Sequence, residues 1–577
     1  MLLDSDVASR GSHGGDAQLK ITPRTVQNPV LTGFHPDPSI LRVGQDYYLA
    51  TSTFHWWPGV RLHHSRDLAR WSPIGYALTR PSQLDMVGVP DHGGIWAPCL
   101  SYDADAELFY LVYTVVQSRP SYFDDRNYIV TAKDPAGPWS DPVFVNGVGF
   151  DASLFHDHDA RKWFVQMTTD PRPGAERFNG IQLQEYDAEA QQLVGPARTI
   201  FRGTDLGLVE GPHLYRRDGW YYLLTAEGGT SYEHAVTMAR SRSIWGPYEV
   251  DPKNPMLTAD GDDSLVLQKT AHASLVDTPG GDWYLAHLCG RPLPGTHRCP
   301  LGRETAIQQV IWDDNGWLRL KQGGRRGAAQ FESPLPLSSA PKPPPAPNDA
   351  GELSIAFAQG PLHDAVNTLR APAHPDWLET GVDGQWLRLR GGSSLESLRQ
   401  QSLVGIRLRH FQAQATSRMR FRPHGPQQMA GMLLYYDTAA YHYLYVTRDG
   451  EHGLYAAVLT AEHGAVRDAG GPTVSIGEWS DLYLRAQVNG AALRFAVSPD
   501  GRAWHAVGGA LDMSLLSDDC ARNLGFTGTY VALASQDFSG AGTPADFESL
   551  DYRPGVHVSG FGSDDLTPRT ATAGFNA

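Results

Sequence analysis

The chain repeats itself through its first half, and that repeat limits the fold more than anything else in it. Five segments share one pattern: a short polar lead, an apolar strand, a polar turn and an aromatic strand. They read DPSILRVGQDYYLATST (37–53), APCLSYDADAELFYLVYT (97–114), DASLFHDHDARKWFVQMT (151–168), GPHLYRRDGWYYLLTAEG (211–228) and HASLVDTPGGDWYLAHL (272–288). Their starts lie roughly 54 to 61 residues apart, the period of a four-stranded propeller blade with generous loops. The pieces RDLARWSPIG (66–75), DPAGPWSDPV (134–143) and SIWGPYEVDP (243–252) recur late in the first, second and fourth units. Asp-Gly and Asp-Asn turns between aromatic runs are hairpin signals. The pattern predicts a five-bladed β-propeller with each blade's first strand on the central axis.

This alignment gives positions a meaning. Asp37, Asp151 and His272 hold the same slot, at the head of an inner strand. Glu210 and Trp96 sit one residue earlier, beside Gly211 and Ala97. Residues far apart in the chain should therefore meet at one mouth of the channel. Asp37 stands between Pro36 and Pro38, which fix the backbone on both sides of the carboxylate. An Asp flanked by prolines is also what an ordinary turn looks like, and strand heads often carry Asp to bond backbone amides.

Two carboxyl groups are the minimal kit for breaking a glycosidic bond: one protonates the leaving oxygen, the other activates water or attacks directly. Asp37, rigidly held, suits a base. Glu210, longer and followed by Gly211, suits an acid that reaches the leaving oxygen. Such an acid must be protonated near neutrality, through burial or a neighbouring negative charge. Asp151 is the natural source of that charge and could orient Glu210. Phe54, Trp56 and Trp57 follow the first inner strand, and Trp96 and Phe150 head the second and third. Clustered rings could stack on the C–H faces of a sugar; core packing is the alternative for any single ring. Arg303 could clamp hydroxyls with its fork of donors, or form an ordinary salt bridge.

The net charge of −15 argues against a nucleic-acid partner. The four cysteines, Cys99, Cys289, Cys299 and Cys520, show neither zinc spacing nor a disulfide framework, and buried free thiols are expected. The N-terminus lacks an apolar signal core and no stretch reaches membrane-spanning length; a cytoplasmic protein without a membrane partner is expected. The motif HDHD (156–159) is read as a solvated turn whose side chains point apart, and His63-His64 as lacking a carboxylate partner. A calcium ion held through water beside His272 is left open. After a proline-rich linker the pattern becomes alternating strands without helical period, an antiparallel, jelly-roll-like β-sandwich. The expected layout is a flexible segment over 1–25, the propeller over 26–331, the linker over 332–351, the sandwich over 352–553 and a tail over 554–577.

Together the motifs NPVLTGFHPDPSI, GGIWAPCLSY, GTDLGLVEGPHLY, TAEGGTSYEHAVTMARS, HLCGRPL with CPLGRETAIQ, and GFTGTYVALASQD with PADFESLDY resemble glycoside hydrolase family 43, in its two-domain bacterial β-xylosidase form. The resemblance runs from about Asn28 to Tyr552. It implies inverting, exo-acting release of xylose from the non-reducing end of β-1,4-xylooligosaccharides, with no required cofactor and a homo-oligomer, dimer or tetramer. It implies Asp37 as general base, Asp151 as the orienting acid that modulates the proton affinity of Glu210, and Glu210 as general acid. Phe54, Trp96, Ala97, Phe150, Thr230, His272 and Arg303 match positions around the terminal sugar, and Tyr530 an aromatic that reaches over the pocket from the sandwich. Two departures stand out. Ala152 replaces a proline after the second Asp, which should leave its backbone less constrained, and Tyr530 stands where relatives often have Phe. The competing readings are an α-L-arabinofuranosidase or dual-activity enzyme, and a noncatalytic sugar-binding propeller.

Overall fold

A computed structural model describes residues 24–119, 122–333, 351–477, 479, 481–521 and 524–556. Five antiparallel sheets follow one another in chain order, each with consecutive strands side by side except the first, where the short strand Trp56–Trp57 is skipped. Their innermost strands are Ser39–Val43, Gly94–Asp103, Ser153–His156, Glu210–Arg217 and Gln268–Asp277. The fourth sheet carries an extra short strand, Leu257–Thr258, paired to its third.

The repeat also supplies glue between blades. A serine stands two residues after Asp37, Asp151 and His272. Ser39 Oγ accepts the Leu100 N–H at 2.9 Å, joining blade 1 to blade 2. The Ser153 hydroxyl donates to the Pro212 carbonyl at 2.6 Å, joining blade 3 to blade 4. The Ser274 hydroxyl donates to the Pro38 carbonyl at 2.7 Å and accepts the Ile40 N–H at 2.9 Å, closing blade 5 onto blade 1. Inner strands of neighbouring blades share no sheet, so their buried polar groups need such partners. The chain's start is tied to the propeller's end: Arg24–Gln27 pairs antiparallel with Gln330–Ser333. That strand takes in Arg24 and Thr25, expected to be flexible, and Glu332 and Ser333, expected to open the linker. The rest of the expected linker up to Ala350, the whole segment before Arg24 and the tail from residue 557 lie outside the described residues.

The second half forms two antiparallel sheets packed face to face, one of nine strands and one of eight that is completed to nine by a strand of the propeller. Inward residues such as Leu387, Leu389, Leu444, Phe495, Leu533 and Phe547 make its core. Among the described residues there is no α-helix, only the 3₁₀ turns Met513–Leu515 and Asp518–Cys520. One sandwich sheet ends on a piece of the propeller, because Trp56–Trp57 pairs antiparallel with Asn367–Leu369. A single apolar cluster runs from Phe54, Trp96 and Phe150 through Phe34 and Trp56 to Tyr435 and Tyr530. Buried ion pairs cross the same interface. Lys269 Nζ donates to Asp518 and Asp519 at 2.7 and 2.8 Å. Arg370, 1 % exposed, donates to the Val89 carbonyl and to Asp91.

Candidate active site

Five equivalent positions of the repeat share one backbone state, two just before their inner strands and three inside them at register shifts. Asp37, Ala97, Asp151, Gly211 and His272 all lie in the left-handed region, with φ of 54°, 32°, 54°, 56° and 45°. Four of them are not glycine, at roughly 1–2 kcal/mol each. Burying a large apolar side chain returns roughly 1.5–3 kcal/mol, so the pocket's own rings offset a cost of that size. The left-handed step turns the side chain at each head, or just before it, toward the axis. Asp151 has the same φ as Asp37, although Ala152 follows the one and Pro38 the other.

Asp37, Phe54, Trp96, Phe150, Asp151, Glu210, Thr230, His272, Arg303 and Phe526 line one pocket at this mouth. Asp37 Oδ2 accepts the Ser52 hydroxyl at 2.6 Å. Its Oδ1 lies 3.7 Å from both Arg303 Nη1 and His272 Nδ1. Asp151 Oδ2 accepts the Gly211 N–H at 3.1 Å. Burial first, then the charges of Glu210 and Asp37, push the Asp151 carboxyl well above the ordinary range. Burial first, and then the charge of Asp37, push Glu210 up to about 8, with Arg303 pulling it back. The expected cause, a negative Asp151, is not the leading one. Glu210 thus helps to raise Asp151, while its own rise comes from burial and from Asp37. Burial pushes His272 down, opposed by Asp37. His234, fully buried with Nε2 3.7 Å from Glu210 Oε1, is pushed down by burial and by His272.

Arg303 ties the pocket together. Its Nη1 donates to Thr230 Oγ1 at 2.7 Å and its Nη2 to the Phe526 carbonyl at 3.1 Å. This reach depends on two glycines: a Cβ on Gly302 would stand 2.6 Å from Gly528 Cα, and one on Gly528 2.5 Å from the Leu301 carbonyl. Only bare backbones let the propeller and sandwich meet so closely.

Several expectations need correction. Tyr530 does not reach over the pocket. It is fully buried and stacks on Trp56 at 3.6 Å, so Trp56 too belongs to the domain interface. The sandwich ring in the pocket is Phe526, edge-on to Trp96 at 5.3 Å; its signal was an aromatic between glycines in GFTG, four residues upstream. Ala97 is not among the lining residues, and its N–H donates to Ser52 Oγ at 2.8 Å. Ser52 thus links Ala97 of the second blade to Asp37, a role visible only once strands are paired. The side chains of Asp157, His158 and Asp159 gather rather than point apart. They bond each other, Tyr221 and Arg161. His64 does have a carboxylate partner, Asp46, at 2.7 Å. All four cysteines are free. At His272 the protein offers one imidazole and the Asp37 carboxylate, both near Arg303, so a calcium ion there would take most of its six to eight oxygens from water.

Residues 26–318 match the family of glycosyl hydrolases family 43, and residues 354–553 match the β-xylosidase C-terminal concanavalin A-like domain. The chain belongs to glycoside hydrolase family 43. As a family 43 glycoside hydrolase it has relatives of the same length and layout. It is 47 % identical over 546 residues to Xylosidase/arabinosidase 43B of Humicola insolens, across 92 % of this chain and 98 % of the relative. It is 42 % identical over 540 residues to a β-xylosidase of Bacillus subtilis, across 92 % and 99 %. It superimposes on the crystal structure of xylan β-1,4-xylosidase from Bacillus halodurans C-125 with a TM-score of 0.86 and 47 % identity, across 92 % of this chain and all of that one.

The raised Glu210 has two pH consequences. An acid that must hold its proton loses function as pH rises past about 8, so kcat/KM is expected to fall on that limb. A carboxyl whose folded value lies above its ordinary 4.5 stabilises the fold fully below 4.5, and that contribution is lost as pH rises through about 8. Thermal unfolding of wild type and Glu210→Gln should therefore diverge between those values, the variant being the more stable at pH 8. Curves that stay parallel across this window would remove the raised acid.

Proposed function

We propose that the chain is an exo-acting β-xylosidase that releases xylose from the non-reducing end of β-1,4-xylooligosaccharides with inversion. The observation that carries this reading is a pocket combining a carboxylate held by donors, Asp37, with a carboxyl pushed up to about 8, Glu210. Asp37 takes a proton from water as that water attacks the anomeric carbon. Glu210 gives its proton to the glycosidic oxygen as the bond breaks. The sugar's bond to the leaving xylose is thus exchanged for one to water, and Asp37 ends protonated while Glu210 ends ionised. Asp151, beside Glu210 on the next blade head, orients the acid and takes a sugar hydroxyl. Phe54, Trp96, Phe150 and Phe526 wall the sugar's apolar faces, and Arg303 and Thr230 meet its hydroxyls. Phe526 and the sandwich behind it close one side, which favours a chain end over a chain interior.

The second reading, α-L-arabinofuranosidase activity in the same pocket, is favoured by the double name of the Humicola insolens relative. Proton NMR of β-1,4-xylobiose from the first minutes of reaction separates these. Early α-xylose, mutarotating later, is the expected result. Early β-xylose would overturn inversion, and no release with rapid cleavage of an arabinofuranoside would move the activity to the second reading.

A further inference from the structure

The loop before the strand Gly94–Asp103 carries His92, 3 % exposed and left-handed at φ 62°. It is not among the pocket's lining residues, yet two of its polar atoms hold lining residues and a third reaches the sandwich. Its carbonyl accepts the indole N–H of Trp96 at 2.9 Å. Its Nδ1 accepts the backbone N–H of Phe526 at 3.2 Å. Its Nε2 lies 2.9 Å from Oδ2 of Asp437, on the sandwich. A backbone N–H can only donate and a carboxylate can only accept, so both neighbours demand the same tautomer, with the proton on Nε2. The adjoining residues repeat the clasp: Asp91 accepts from the backbone and hydroxyl of Thr438 and from Arg370. The His92 N–H is itself held by His55 Nδ1 at 3.0 Å.

We propose that His92 is a positioning residue that sets the pocket's width by fixing Trp96 of the propeller and Phe526 of the sandwich against each other, with Asp437 holding its tautomer. The inference rests on that pocket being the seat of the terminal sugar. Simple interdomain packing would need the ring's volume but not its nitrogens.

Three variants separate these roles. His92→Phe keeps a ring and loses both nitrogens. Loss of a buried acceptor for Phe526 is expected to raise KM for xylobiose roughly 10- to 100-fold. The carboxyls are untouched, so kcat should stay within about 3-fold and the alkaline limb should not move. His92→Asn tolerates the left-handed backbone and offers a carbonyl oxygen near the Nδ1 position, so KM is expected to return to within about 5-fold of wild type. Asp437→Asn acts at a distance. Oδ1 of Asp437 accepts the Ala439 N–H at 2.8 Å, so the new amide would turn its NH₂ toward His92 and force the proton onto Nδ1, against the Phe526 N–H. KM should rise here as well. A folded His92→Phe with wild-type KM, or His92→Asn as impaired as His92→Phe, would overturn the proposal. Should His92→Phe fail to fold, wild-type KM in Asp437→Asn does so alone. Wild type with no xylosidase turnover would instead fail the functional reading, and the same KM ratios would then be read on an arabinofuranoside.

Discussion

Replacing Glu210 by glutamine is expected to slow xylobiose hydrolysis by roughly 10²–10⁴-fold, while costing less than about 10-fold with a p-nitrophenyl xyloside. The difference comes from the leaving group. A departing xylose hydroxyl is a poor anion and needs a proton in the transition state; a nitrophenolate is stable and leaves without one. Glutamine keeps the shape and hydrogen-bonding reach of Glu210 but has no proton to give. Its neutrality also removes a buried carboxyl from the neighbourhood of Asp37 and Asp151, so the variant should fold at least as well as wild type. The alkaline limb near pH 8 should vanish with the nitrophenyl substrate. Equal losses on both substrates would mean that Glu210 serves something other than the leaving oxygen.

The site was legible where it follows from the repeat. Asp37, Asp151 and His272 hold one slot of the repeat, ahead of the inner strand in blades 1 and 3 and at a register shift inside it in blade 5, and Glu210 and Trp96 align one residue earlier. A closed ring then forces them together whatever the loops do. Phe54 and Phe150 follow from the same alignment. What the sequence left hidden depends on pairings between distant segments. Trp56 and Trp57 read as pocket rings until Trp57 is seen bonded to Asn367, 310 residues away. Tyr530 and Phe526 lie four residues apart, and only the sandwich strand beginning at Tyr530 decides which ring is buried and which lines the pocket. The His64 pair with Asp46 arises from cross-strand register, since Tyr47 opposes Ser65. Spacing along the chain does not reveal it. Periodicity thus places residues within one blade, while the sandwich's contribution to the pocket is a property of the interface.

That interface shares the electrostatics of catalysis, which the substitution Asp37→Asn would expose. Asparagine retains the shape and a partner for Ser52, but it cannot take a proton from water. Hydrolysis is expected to fall by roughly 10²–10⁴-fold, and equally for xylobiose and for a nitrophenyl xyloside, because attack by water is needed whatever leaves. The residual activity carries a second signature. The charge of Asp37 is, after burial, what pushes Glu210 up, while Arg303 pulls it down. Removing the negative charge leaves burial opposed by a guanidinium that Asp37 no longer offsets. The proton affinity of Glu210 should therefore drop, and the alkaline limb of the remaining rate should move to lower pH. A variant that loses rate but keeps its limb would uncouple the two carboxyls. One that keeps the rate on both substrates would take Asp37 out of the proton transfer and leave water activation to another group at the ring.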